Sequence, residues 1–314
     1  TTTIHEGAVC NGGPTAGPCE TGPGGLPSPV TNHAGIRGPE VGLIVKWDEE
    51  LGYWKDELDR NWNAAVKFEL PDLDVFEIDA TQDPPAPTEV EYAGVGTILF
   101  NMVTNPVSGA IYVSNTEARN EVRFEGPGDY VRSLGLRGDG PVSVRGRLHE
   151  ARITVIDDGQ VVPRHLNTHI PYGERTMPPG TRDKSIAQPL GMTISSDGST
   201  LYVAAYGSSA VAVIDTHELE TGTHEPSASR LIQLGDPGPV GPSGLVLDEA
   251  RGLLYVATRF DNSLVTVDLE TRAVVHRARM HTPEPEHVVV GRPLLYDARY
   301  TSSNGEASCG SCHV

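Results

Sequence analysis

The sequence predicts an all-β protein assembled from repeated units of short antiparallel strands. Three observations carry this. Gly and Pro supply 35 and 25 of the 314 residues while aromatic residues make up 6%, a turn-rich composition. Two stretches, PLGMTISSDGSTLYVAAYGSSAVAVID at 189–215 and PSGLVLDEARGLLYVATRFDNSLVTVD at 242–268, align without a gap at a step of 53 residues. In both, 13 residues separate the leading Pro (Pro189, Pro242) from the Tyr (Tyr202, Tyr255), and another 13 reach the Asp (Asp215, Asp268). Each unit contains three β-rich or alternating runs split by turn signals such as SDGS and FDNS, with a fourth run after it (SRLIQLG, AVVHRARM). Four short strands in a unit of about 40–55 residues is the pattern of a β-propeller blade.

The remaining elements follow from the same signals. Residues 1–40 are rich in Gly and Pro and hold Cys10 and Cys19 in CNGGPTAGPC. A disulfide there would close a short loop in a segment with little core of its own and would place the chain outside the cytoplasm. Two free thiols, or two ligands of a shared zinc, are the alternatives. Residues 41–281 are expected to form the propeller. A weaker blade runs over 43–79 (GLIVKWD, NAAVKFELP, DVFEID), and DEELGYWKDELDRNWN between its runs reads as a short acidic helix. A clear third copy is LFNMVTNPVSGAIYVSNTEARNEVRFE at 99–125, where Tyr112 and Glu125 keep the 13-residue spacing. RITVID is a further strand, and NTHIPYGERTMPPGTRDKS reads as a long loop. Three clear blades and one weaker one are fewer than most closed rings contain, so further polypeptide is expected to complete the propeller.

The net charge is −18, and residues 1–100 alone hold 17 acidic and 5 basic side chains. Such a surface repels nucleic acid and anionic lipid and suits basic or neutral partners. No run of 18 apolar residues occurs, so no transmembrane helix is expected. The sequence holds no nucleophile elbow, phosphate loop or zinc-protease helix motif, and its carboxylate runs read as solvated faces.

The chemistry concentrates in ASCGSCHV at 307–314. Cys309, Cys312 and His313 form C-x-x-C-H, the attachment motif of heme c. The two sulfurs add across the heme vinyl groups, and the adjacent His ligates the iron, which makes His313 the metal ligand. A tetrahedral zinc would need a fourth ligand and strained neighbours. A thioredoxin-like pair would follow a strand and open a helix, and no strand pattern precedes Cys309. Candidates for the sixth iron position are His165 and His169 in PRHLNTHIPY, with His281 and His287 as further alternatives; Met192 and Met280 read as core or strand residues.

Two resemblances extend these readings. The units written IYVSN, LYVAA and LYVAT resemble the YVTN-type seven-bladed propeller family, with the Asn kept only in the first. VVGRPLLYDARYTSSNGEASCGSCHV at 289–314 resembles the entry to the first heme motif of the di-heme cytochrome c peroxidase and MauG group. The matching residues are Gly291-Arg292, Leu294-Leu295, Tyr296-Asp297-Ala298-Arg299 and the motif itself. That resemblance implies that residues 282–314 are a short Pro-rich linker and the start of an α-helical cytochrome c domain, carrying heme c on Cys309, Cys312 and His313. The second heme and distal region of that group have no counterpart in this sequence. The expected protein is a periplasmic or extracellular heme c redox protein that transfers electrons to a partner protein or another heme. A peroxidase-like oxidoreductase is the alternative if a second heme domain follows residue 314. A binding or surface-assembly role of the propeller, with heme secondary, is the third.

Overall fold

The computed structural model describes residues 2–4, 43–55, 61–66, 73–118, 147, 149–172, 177–235, 238–302 and 304–311. Cys10, Cys19, Cys312 and His313 lie outside them, and so do the expected Cys10–Cys19 disulfide and the EVRFE run. The chain divides into two compact units. One comprises residues 1–71, 118–148 and 171–176; the other comprises 72–117, 149–170 and 177–314.

In the first unit, β1 (Thr2–Ile4), β2 (Leu43–Asp48) and β3 (Tyr53–Lys55) form a three-stranded antiparallel sheet. Trp47 and Trp54 face each other across β2 and β3 with ring centroids 6.0 Å apart. Buried Val45 and Trp62 pack with Trp54, Ala65 and Val66. The sequence reading differs here. Tyr53–Lys55 is a strand where an acidic helix was expected, because Trp54 pairs across the sheet and the Lys55 ammonium reaches Asp48 at 2.7 Å.

The weaker blade over 43–79 is also not realised as one sheet. Its last run is β4 (Val75–Asp79), which lies in the second unit and pairs with β5 (Ala86–Tyr92). The repeated prolines of DPPAP hid β5 from the sequence pattern.

The second unit holds three four-stranded antiparallel sheets, each running in chain order, which makes it a propeller-like all-β arrangement. The first consists of β6 (Ile98–Thr104), β7 (Ile111–Ala118), β8 (His149–Asp157) and β9 (Gln160–His165). Its third strand is therefore β8, which contains RITVID, and not the run 13 residues beyond Tyr112; a long insertion separates β7 from β8. The second consists of β10 (Pro189–Ile194), β11 (Thr200–Ala205), β12 (Ala210–Asp215) and β13 (Leu231–Gln233). The third consists of β14 (Pro242–Asp248), β15 (Leu253–Thr258), β16 (Ser263–Asp268) and β17 (Ala273–Arg279). First strands β6, β10 and β14 lie side by side.

The 53-residue repeat recurs as identical hydrogen bonds. Tyr206 N–H donates to Gln188 O at 3.1 Å, and Arg259 N–H to Gly241 O at 2.8 Å. Leu234 N–H donates to Ser209 O at 3.1 Å, and Met280 N–H to Asn262 O at 2.8 Å; here the acceptors keep the step, while the donors on the fourth strands are 46 residues apart.

Two apolar layers join successive sheets. Leu201, Val203, Ala212 and Ile214 pack toward Tyr112, Ile153 and Val155 of the first sheet. Their equivalents Leu254, Val256, Val265 and Val267 pack on Val211, Ile232 and Leu234 of the second. Fully burying one such side chain contributes about 1.5–3 kcal/mol. Gly191 sits where the second and third sheets approach closely: a Cβ there would lie 2.6 Å from Ser243 O.

Helix α1 (Thr216–Thr221) follows β12 and starts at the Asp215 side chain, which accepts from Glu218 N–H. Helices α2 (Glu286–Tyr296) and α3 (Ala298–Thr301) and a 3-10 turn at Cys309–Ser311 close the chain. No described helix is long and apolar enough to cross a membrane.

Leu254 is fully buried between the second and third sheets. Leu254→Ala is expected to cost about 2–5 kcal/mol in urea unfolding, whereas truncation of the exposed Val107 should cost under about 0.5 kcal/mol.

Candidate functional site: the loop that presents Cys309

The segment from Tyr296 to Ser311 is fastened to the turns that enter and cross the second sheet. Tyr296 stacks edge-on to Tyr206 at 5.6 Å, and Tyr206 does the same to Phe260 at 4.9 Å. Asp297 is fully buried and accepts from Ser209 Oγ at 2.9 Å. It also caps α3 through Arg299 N–H and holds the Arg299 guanidinium at 2.6 Å. That pairing raises the Arg299 pKa, so its charge is kept. Arg292 donates to Arg259 O at 2.9 Å, and Arg182 to Arg299 O at 2.8 Å.

The approach to the motif is pinned residue by residue. Ser185 Oγ donates to Asn304 O at 2.5 Å. Asn167 Nδ2 donates to Ile186 O at 2.8 Å and reaches the buried Glu306 carboxylate at 3.4 Å. Gln188 Nε2 donates to Gly310 O at 2.7 Å. Gly310 lies flat on Tyr296, and a Cβ there would collide with the ring. Gly310 and Ser311 are buried, whereas Cys309 is exposed with a free thiol. The loop thus fixes its main chain against the sheet and turns one sulfur outward.

Gln188 has φ +47, a left-handed conformation that a residue with a Cβ adopts only at a cost. Its counterpart one repeat later is Gly241, with φ +57. Sequence reasoning passed over Gln188, yet the ungapped alignment contains the signal: where the turn calls for Gly, the second sheet carries a side chain that holds the loop. Asn167, Ser185 and Ser209 were missed too, and nothing in their local sequence marks them.

The predicted distal candidates divide. His165 ends β9, with Nδ1 at 3.4 Å from Ala151 O. His169 lies nearer the loop, with Nε2 at 3.0 Å from Thr181 O and 3.2 Å from Ser185 Oγ. Burial lowers its pKa. His281 and His287 are exposed. Met192 is core, and Met280 is exposed just past β17. No cluster of three His, Cys, Asp or Glu suited to a metal ion occurs among the described residues.

Sequence reasoning overlooked His149. It is buried at the start of β8, and neither ring nitrogen makes a well-formed hydrogen bond. Burial pushes its pKa down to about 4, and the Glu306 main chain opposes that only partly. Beside the loop, a cleft of about 360 Å³ is lined by Arg182, Asp183, Ser185, Ser208, Gln233, Arg299 and Gly305, among others. Arg182 has no ion-pair partner among the described residues.

No family model matches the chain, and no curated protein matches it. Solved structures similar to it include hydrazine synthase of Kuenenia stuttgartiensis, 16% identical over 59% of this chain and 47% of that one, with a TM-score of 0.36. A nidogen/laminin complex is 14% identical over 60% of this chain and 50% of that one, with a TM-score of 0.35. The periplasmic gluconolactonase PpgL of Pseudomonas aeruginosa is 12% identical over 82% and 69%, with a TM-score of 0.38. The chain spans about half the length of the first two. At these scores the fold rests on the strand pairings themselves.

Two outcomes follow. Asp297→Ala removes the Ser209 and Arg299 bonds together. It is expected to cost about 1–3 kcal/mol, less than a fully buried ion pair because Arg299 is partly solvated. Amide exchange at 298–311 should accelerate well beyond that of β11. His149 binds its proton less readily folded than unfolded, so the unfolded state holds more protons between pH 6.5 and about 4. Stability should be undiminished by this group above pH 6.5 and fall as pH drops toward 4, and His149→Gln should flatten that slope in urea titrations.

Proposed function

We propose that the chain is an extracytoplasmic redox protein that carries heme c on Cys309, Cys312 and His313 and transfers electrons from a propeller scaffold. The observation that supports it is the exposed Cys309 thiol at the first position of C-x-x-C-H, on a loop whose main chain is bonded to the sheet through Gln188 and Ser185. These residues fit the group. Cys309 and Cys312 would hold it by thioethers, His313 would supply the proximal nitrogen, and Arg182 and Arg299 at the neighbouring cleft offer donors to its carboxylates. When bound, the heme iron supplies one-electron exchange. The chain's part is to hold that group at a fixed place on a rigid sheet and to bury the polar backbone beside it. Residues 282–314 are, in this proposal, the entry to a cytochrome c domain. Further polypeptide completes a seven-bladed propeller, and the electron partner is a protein or a second heme.

The test is expression of the full chain alongside a c-type maturation system. A thioether-type pyridine hemochrome that survives acid–acetone extraction is expected. Cys309→Ala should shift the band to the single-thioether position, and the double Cys309→Ala, Cys312→Ala chain should lose all heme on extraction. Absence of covalent heme in the unaltered chain overturns the proposal. A low-spin ferric spectrum inert to peroxide fits electron transfer. A high-spin one that reacts with peroxide replaces it with the peroxidase-like alternative, toward which the resemblance over 289–314 points.

A further inference from the structure

The second and third sheets share one turn geometry and differ in what fills it. In the second, Tyr206 N–H donates to Gln188 O and Gly207 N–H to Ala187 O. One repeat later, Arg259 N–H donates to Gly241 O and Phe260 N–H to Val240 O. Residues 187, 188, 206 and 207 therefore correspond to 240, 241, 259 and 260 at the step of 53 residues. At the third sheet the space beside the turn is filled from within. Phe260 is buried, and a Cβ on Gly241 would lie 2.6 Å from its ring. At the second sheet the sizes are exchanged: Gln188 bears a side chain and Gly207 bears none.

What enters the space at the second sheet is the segment that leads to the heme motif. A Cβ on Gly207 would lie 3.0 Å from Tyr296 O and 2.8 Å from the Ala187 Cβ, so a ring like that of Phe260 has no room there. The buried Gln188 carboxamide spends both ends on the same segment. Its Nε2 donates to Gly310 O at 2.7 Å, and its Oε1 accepts from Ser308 Oγ at 3.4 Å. Gln188 does this from a left-handed backbone, φ +47, where Gly241 has φ +57. A third position follows the same rule. Ser209 and Asn262 are both left-handed, at φ +51 and +49. Yet Ser209 Oγ donates to Asp297 at 2.9 Å, while Asn262 Nδ2 donates to His281 O at 2.8 Å, just past its own sheet. Strain kept at a turn, together with an exchange of large for small beside it, marks a seat shaped for a neighbour.

We propose that Gln188 and Gly207 are positioning residues for the cofactor: they form a seat on the second sheet for residues 296–311 and fix the direction in which Cys309 leaves the surface. This rests on the reading of C-x-x-C-H as a heme c site and deepens it. A covalent tether sets where a group is attached, but not how it is oriented. A loop locked to a rigid sheet supplies the orientation, as a preorganised site requires. Gly207 lets the Tyr296 main chain approach, and Gln188 holds the loop at Gly310, one residue beyond Cys309. The third sheet has its own Phe260 in that place and offers no such seat.

The test is amide exchange on the full chain without heme, followed by paramagnetic resonance of the ferric, heme-loaded chain. Gln188→Gly supplies the residue that the third sheet uses. Gln188→Met keeps the length and the strained turn but has no donor. In both, amides at 308–311 are expected to exchange about tenfold faster or more, as loss of one buried hydrogen bond implies, while β11 keeps its protection. Gly207→Phe, which plugs the seat as Phe260 does, should accelerate exchange over the whole of 298–311. In the loaded chain the optical band should stay at the two-thioether position in all three variants. The ferric signal, narrow in the unaltered chain, should broaden as the heme takes several orientations. Unchanged exchange at 308–311 in both Gln188 variants overturns the seat. Equal acceleration in β11 and at 308–311 overturns it too, because Gln188 would then serve the sheet alone. A loosened loop with an unbroadened ferric signal overturns the positioning of the cofactor. Heme attachment is scored separately by the hemochrome. If the unaltered chain takes no heme, the reading beneath this proposal fails, and exchange still decides whether the seat exists.

Discussion

The constraint on which the second unit depends is the interlocking of one sheet's near face with the far face of the sheet before it. A single repeat of this kind cannot bury its own hydrophobic faces, and stacking against its neighbours does so. Each becomes stable only as part of a row, so Leu201, Val203 and Ile214 do for the second sheet what Leu254, Val256 and Val267 do for the third. The 53-residue step over the first three strands keeps each near-face residue on the same side of the pleat in both sheets. Length changes fall in the connections and leave the faces alone: 15 residues join β12 to β13, and four join β16 to β17. The longest of these connections lies between β7 and β8.

That is also why the two ungapped copies could be read from the chain with their strands nearly in place. Period-2 alternation around Tyr202 and Tyr255, with Asp-Gly and Gly-Ser turns between, leaves few other arrangements. The first sheet was half legible. Its opening hairpin, around the Asn105–Gly109 turn, follows the repeat, but its third strand lies beyond an insertion that no local pattern announces. The Trp47–Trp54 hairpin was misread because its charged neighbours mimic a helix, while the deciding contact is the cross-strand pair of the two rings, seven residues apart. Strand β5 was missed because prolines crowd its start.

The candidate site divides in the same manner. Cys309 is a matter of spacing, and spacing is visible in a sequence. The residues that seat its loop come from four separate stretches, around 167, 185, 208 and 297, and are brought together only by the stacking of sheets. Their types, Asn, Ser, Gln and Asp, are common in any turn. What distinguishes them is burial with a specific partner, as in Asn167 with Ile186 and Glu306, or Ser209 with Asp297.

Gln188 shows what a duplicated unit makes available. The later copy keeps glycine at the equivalent turn and remains the undisturbed reference, free of strain. The earlier unit carries Gln there, with less conformational ease and a grip on Gly310. Internal duplication therefore works here as a built-in comparison. Where two units share their hydrogen bonds but differ in the residue that makes a turn, the difference marks a position at which one unit holds a neighbour and the other does not.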